Sequence, residues 1–206
     1  MGRVHVSVDG FNLYYAIRRW KHLKWLDIRA FAEAFVDPGD ALAHIYYFTA
    51  MVRPTESDPD KPKRQIAYVN ALESLSRVSV VKGNYAPVKR RCRRCQNRYR
   101  VYEEKTTDVA IGLRMLRDAL ESRCEHLMLI SGDGDQSPTL KMIHELARRS
   151  STVVLPPNLR NKEFARFGQR GICRIKIGSK KVAARCQLPD PVRDGIYAYH
   201  RPAEWT

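Results

Sequence analysis

Five side chains stand where chemistry would be expected: Asp9 and Asn12 in VSVDGFNLY, Asp108 in TTDVAIG, and Asp133 and Asp135 in LISGDGDQSP. The carboxylates follow apolar runs or open an amphipathic one, and Gly10, Gly132 and Gly134 let the backbone turn sharply beside them. Gathered in one crevice, such groups repel one another unless a cation compensates. Mg²⁺ and Mn²⁺ take oxygen ligands of this kind. Phosphodiester cleavage uses ions so held to activate water and to stabilise the leaving oxygen. Singly, Asp108 is an ordinary first-turn acid, Asp133 and Asp135 are ordinary turn or N-cap residues, and Asn12 suits a turn. Their joint placement carries the metal-site expectation.

The elements that must bring these residues together alternate in type. Short runs rich in branched and aromatic residues, at Arg3 to Val8, His44 to Val52, Val78 to Val81, His126 to Ser131, Thr152 to Leu155 and Ile172 to Ile177, predict strands. Between them, apolar residues at spacings of three and four predict helices over Asp27 to Phe35, Arg64 to Leu75, Val109 to Leu120 and Leu140 to Arg149, with Pro138 tolerated in a first turn. Such alternation makes an α/β fold with a mostly parallel sheet covered on both faces. Ligands then gather outside the carboxyl ends of the strands, where Asp9, Asp133 and Asp135 fall. Residues 1–180 read as one domain and 181–206 as an irregular tail packing back on it.

Composition narrows the partner. Lys and Arg total 37 against 22 Asp and Glu, a formal charge of 37 − 22 = +15. Such a balance attracts polyanions, nucleic acid first among them. No stretch approaches the roughly 18–20 uncharged apolar residues of a spanning helix. MGRVHVSVDG lacks the pattern of a signal peptide, so a cytoplasmic address away from the membrane is expected. Five scattered cysteines argue against a disulfide framework.

The segment 86–105 reads as a long connection, densely basic up to Arg100. It interleaves Lys89, Arg90, Arg91, Arg93, Arg94, Arg98 and Arg100 with Tyr99 and Tyr102. Guanidinium forks grip phosphates and tyrosine rings stack on unpaired bases, so this arm is expected to hold RNA and deliver it to the acids, with Lys105 meeting a phosphate there. Cys92 and Cys95 form half of a structural Zn²⁺ site. Cys124, Cys173, Cys186, a histidine or a second subunit would have to complete it; unligated thiols are the alternative.

VSVDGFNLY, EEKTTDVAIGLRML and LISGDGDQSPTL, in that order, together with LPDPV and RPAEW near the end, resemble the NYN domain family, the LabA-like branch of the PIN-like nucleases. The resemblance implies a PIN-like three-layer α/β/α sandwich and metal-dependent ribonuclease activity. By motif position it makes Asp9, Asp108 and Asp133 ligands for Mg²⁺ or Mn²⁺, with Asp135 binding directly or through water. Asn12 would orient a ligand, and Ser131 occupies the family's small hydroxylic position. Gln136 departs from the family, which usually has an aromatic or apolar residue there. The leading expectation is an endoribonuclease. An inactive RNA-binding regulator and a nuclease acting on DNA are the alternatives, and oligomeric state, homodimer included, stays open.

Overall fold

The computed structural model describes residues 2–206, apart from the side chains of Val101, Glu103 and Glu104. Glu103 and Glu104, the two acids opening the middle motif, therefore lie outside the described side chains. The chain runs β1 (Arg3–Asp9), α1 (Gly10–Ile17), α2 (Ile28–Glu33), β2 (Ala41–Ala50), α3 (Lys61–Glu73), β3 (Val78–Arg91) and β4 (Arg98–Lys105). It continues α4 (Thr107–Leu120), β5 (His126–Ile130), α5 (Ser137–Met142), β6 (Ser150–Leu155), α6 (Lys162–Gln169) and β7 (Arg174–Ile177). Last come α7 (Lys180–Arg185), β8 (Val192–Asp194) and β9 (Tyr197–Tyr199).

Seven strands form one sheet in the order β4-β3-β2-β1-β5-β6-β7, parallel except where β4 returns antiparallel along β3. Strand alternation builds a separate core on each face. Val4, Val6 and Val8 of β1 pack with Leu13, Ile17, Phe31 and Leu72 on one side. Leu127, Leu129 and Val153 pack with Ile111, Met115, Leu140 and Phe164 on the other. The result is the expected three-layer α/β/α arrangement. From β1 the chain first winds outward through β2 and β3, then crosses back to β5 on the other side of β1. The boundary between β1 and β5 is thus a switch point, where departing loops leave a crevice.

Two segments differ from their sequence expectations. Residues 86–105 are no loose connection: β3 and β4 pair from Asn84 with Lys105 out to Arg91 with Arg98, a protruding two-stranded ribbon. Charged side chains on both of its faces conceal the alternation that marks a strand with one buried side. The tail is also more regular than expected. Ser179 caps α7, β8 pairs with β9, and the turn Ala203–Trp205 closes the chain. The tail packs on the body through buried aromatic groups: Trp25 Nε1 donates to the Pro189 carbonyl at 2.9 Å, and the Trp205 ring lies 6.0 Å from that of Tyr68. Among the described residues no helix is long and apolar enough to cross a membrane.

Candidate metal centre

Asp9 ends β1 and caps α1. Its Oδ1 accepts the Asn12 N–H at 2.9 Å, satisfying one of the donors a helix start leaves open. Val8 pairs with Ile130 in register, so the next residues, Asp9 and Ser131, meet across the switch point. Ser131, fully buried, donates its hydroxyl to Asp9 Oδ2 at 2.9 Å and accepts the Asp133 N–H at 3.0 Å. Asp133 in turn caps the turn Gly134–Gln136, accepting the Asp135 N–H at 3.0 Å. Asp108 enters from the first turn of α4. One ligand atom from each of Asp9, Asp108 and Asp133 can lie within 4.8 Å of the other two.

The electrostatics show what that convergence costs. Burial, opposed by the hydrogen bonds from Asn12 and Ser131 and reinforced by the charges of Asp108 and Asp133, pushes the Asp9 carboxyl up to about 6. The donor set consists of hard carboxylate oxygens spread over three elements, which fits Mg²⁺ or Mn²⁺ retaining several waters. The Ser131 hydroxyl holds one Asp9 oxygen in place. Ser131→Ala is expected to weaken Mn²⁺ binding roughly 10-fold, the usual effect of losing a group that orients a ligand, measured by calorimetry.

The other sequence-expected residues divide. Asp135 is exposed and lies outside the cluster, because it sits two residues past the cap, on the turn itself. Asn12 Oδ1 accepts the Gly132 N–H at 2.8 Å, so this side chain holds the exit of β5 against α1. The sequence showed Gln136 only as a departure from the family and did not single out Asn161. Buried Gln136 donates to the Asp108 carbonyl at 3.0 Å, tying the Asp133 turn to the helix start that carries Asp108. Asn161 caps α6 and donates to the Gly132 carbonyl at 3.1 Å.

The acids open into a cleft of about 500 Å³, walled by Phe11, Tyr15, Tyr85 and Tyr102. Tyr85 and Tyr102 come from the base of the β3–β4 ribbon, and side-chain alternation puts Lys89, Arg91, Arg98 and Arg100 on that same face. Arg90, Tyr99 and Lys105 fall on the opposite face, while Arg93 and Arg94 belong to the tip. Arg53, which the sequence did not single out, lays its guanidinium 4.0 Å from the Tyr102 ring centroid. Cys92 and Cys95 also lie at the tip. Cys92 Sγ is favoured as thiolate, first by the backbone N–H of Cys95 and then that of Arg94, yet no further cysteine or histidine joins them in a cluster among the described residues.

An open α/β domain with a carboxylate cluster at its switch point is the architecture of PIN-like nucleases. The NYN domain model matches residues 3–170, and the chain belongs to this family. Among curated proteins it is similar to 6-hydroxy-3-succinoylpyridine 3-monooxygenase HspA of Pseudomonas putida, 28% identical over 98% of this chain and 75% of the relative. Among solved structures it resembles a Vibrio parahaemolyticus protein of unknown function, with a TM-score of 0.57, 18% identity, and coverage of 87% of this chain and 94% of that one. The structural likeness establishes the fold.

Proposed function

We propose that the protein is a ribonuclease dependent on Mg²⁺ or Mn²⁺ that cuts RNA internally. The observation carrying this reading is the convergence of Asp9, Asp108 and Asp133 in a cleft from which a cationic ribbon face extends. When bound, the divalent ion supplies Lewis acidity for activating water and stabilising the leaving oxygen of a phosphodiester. Asp9, Asp108 and Asp133 hold it. Asp135, on the turn after Asp133, would act on the ion only through water, and Asn12 and Ser131 keep the two strand ends in place. Lys89, Arg91, Arg98 and Arg100 bind the RNA backbone electrostatically, and Tyr85 and Tyr102 offer ring faces to unpaired bases in the cleft.

The name of the Pseudomonas relative is that of a monooxygenase. Non-haem iron oxygenase sites combine two histidines with one carboxylate, whereas the cluster here is three carboxylates. That donor set favours the nuclease reading. Labelled RNA and DNA incubated side by side with Mg²⁺ or Mn²⁺ test it. RNA is expected to shorten, and EDTA to stop the reaction. Salt-sensitive binding without turnover in either ion would assign the protein to RNA-binding regulators, and faster cutting of DNA would change the substrate.

A further inference from the structure

Helix α1 separates the carboxylate cleft from a second, more enclosed cavity of about 140 Å³. Asn12 and Ala16 face the cleft, Leu13, Tyr14 and Ile17 face the cavity, and Phe11 and Tyr15 border both. Tyr47 of β2, Tyr68 of α3 and Trp205 of the closing turn complete the walls. Tyr68 packs edge-on against both Tyr47 and Trp205, at 6.2 and 6.0 Å between centroids, and donates its hydroxyl to the Leu26 carbonyl at 2.8 Å. The walls are therefore fixed by packing and hydrogen bonding. A cavity of roughly 150 Å³ holds a benzene-sized ring. A nucleotide, which adds a sugar and a phosphate, outgrows this space.

Two features mark the cavity as more than a packing gap. Tyr47 is only 5% exposed, yet its hydroxyl makes no hydrogen bond among the described residues. The ring is buried but its hydroxyl is not sealed off, so it opens on the cavity that Tyr47 lines, where a bound polar group can reach it. Its position depends on Gly10, where a Cβ would lie 2.8 Å from that hydroxyl and 2.6 Å from the Phe48 carbonyl. The second feature is charge. Arg64 is already held by Asp58 and Glu204, but Lys24 and Lys61, which also line the cavity, form no ion pair among the described residues. Lys24 Nζ sits 5.6 Å from the Tyr14 ring centroid and 5.8 Å from that of Trp205. Burial, and then repulsion from Arg64, lower its proton affinity, and an anion beside it would oppose both by attraction.

We propose that this cavity is a second ligand site, taking a free single-ring aromatic carboxylate whose ring lies among Tyr14, Tyr47 and Trp205 and whose anionic group meets Lys24. A ring substituent would complete the hydrogen bonding of the Tyr47 hydroxyl. The site is independent of the carboxylate cluster and stands whether or not that cluster cuts RNA. Trp205 gives the tail a role beyond the family-matched region: it closes the ligand space.

Calorimetric titration of the full chain in EDTA tests the assignment with benzoate, nicotinate, neutral benzamide and uridine 5′-monophosphate. One of the two acids is expected to bind saturably at one site, with benzamide at least about 10-fold weaker because it lacks the charge. Lys24→Met, which keeps the apolar stem, should weaken the acid about 10-fold without lowering Tm, and Tyr47→Phe should weaken it about 3- to 10-fold. Failure of both acids to saturate, undiminished binding by Lys24→Met, or tighter binding of the nucleotide than of either acid would each overturn the proposal.

Discussion

Replacing Asp9 with Asn is expected to cut cation-dependent RNA cleavage by at least about 100-fold while making the metal-free protein more stable at neutral pH. The two effects share a cause. Asp9 is 5% exposed and faces two further carboxylates, so its charge is useful only when a cation is present. Burial raises its carboxyl from the ordinary aspartate range to about 6 in the folded chain, so the native state holds the proton more tightly than the unfolded one. Stability therefore falls as pH rises from about 4 to about 6 and stays lower above, by on the order of 3 kcal/mol. Asn carries no charge, retains an oxygen for the Asn12 N–H, and offers an amide to Ser131. In EDTA at pH 7.5 the variant should melt roughly 6–12 °C above wild type, and at pH 4 the difference should vanish. Excess Mg²⁺ should raise the wild-type Tm and leave the variant unmoved. A variant that melts at or below wild type in EDTA, and gains equally from Mg²⁺, would refute this account of the site.

The same chemistry explains which parts of the site were legible in the sequence. Asp9 and Asp133 could be placed because each follows an apolar strand, and Asp108 because it opens an amphipathic helix. Asp135 was expected alongside them, directly or through water; it lies on the turn that Asp133 caps and outside the three-carboxylate cluster. Helix α1 carried a usable signal that the strand-and-helix reading passed over: Asp9 is an N-cap, and Leu13 and Ile17, four apart, are both buried. Gln136 and Asn161 left no such trace. Both act by donating to backbone carbonyls far along the chain, at Asp108 and Gly132, and spacing carries no information about those meetings. The ribbon was hidden for another reason. Its tip, Cys92 to Asn97, lacks the Asn-Gly or Asp-Gly pair that announces a tight hairpin, and neither face of its outer half is apolar.

Changing Lys89, Arg91, Arg98 and Arg100 together to Gln is expected to weaken RNA binding about 100-fold or more near 0.1 M salt. Four phosphate contacts on a single strand contribute a slope of roughly −3 to the logarithmic salt dependence, so their removal should flatten that dependence by about 3. The ribbon itself supports this outcome. Lys89 stands directly opposite Arg100, and Arg91 opposite Arg98, on one face. Like charges so paired destabilise a two-stranded ribbon, and a polyanion laid along that face offsets the repulsion. The quadruple variant should therefore fold at least as well as wild type and bind Mn²⁺ with unchanged affinity, since none of the four residues belongs to the carboxylate cluster. The opposite face supplies the control. Changing Arg90 and Tyr99 to Gln and Ser removes one charge from the other side, and its salt slope should change by about 1 at most. An equal loss per charge removed on the two faces would make the ribbon a diffuse positive charge. A loss per charge several-fold larger on the Lys89 face would establish a directional track, running from the ribbon tip down to Tyr102 and the acids beyond it.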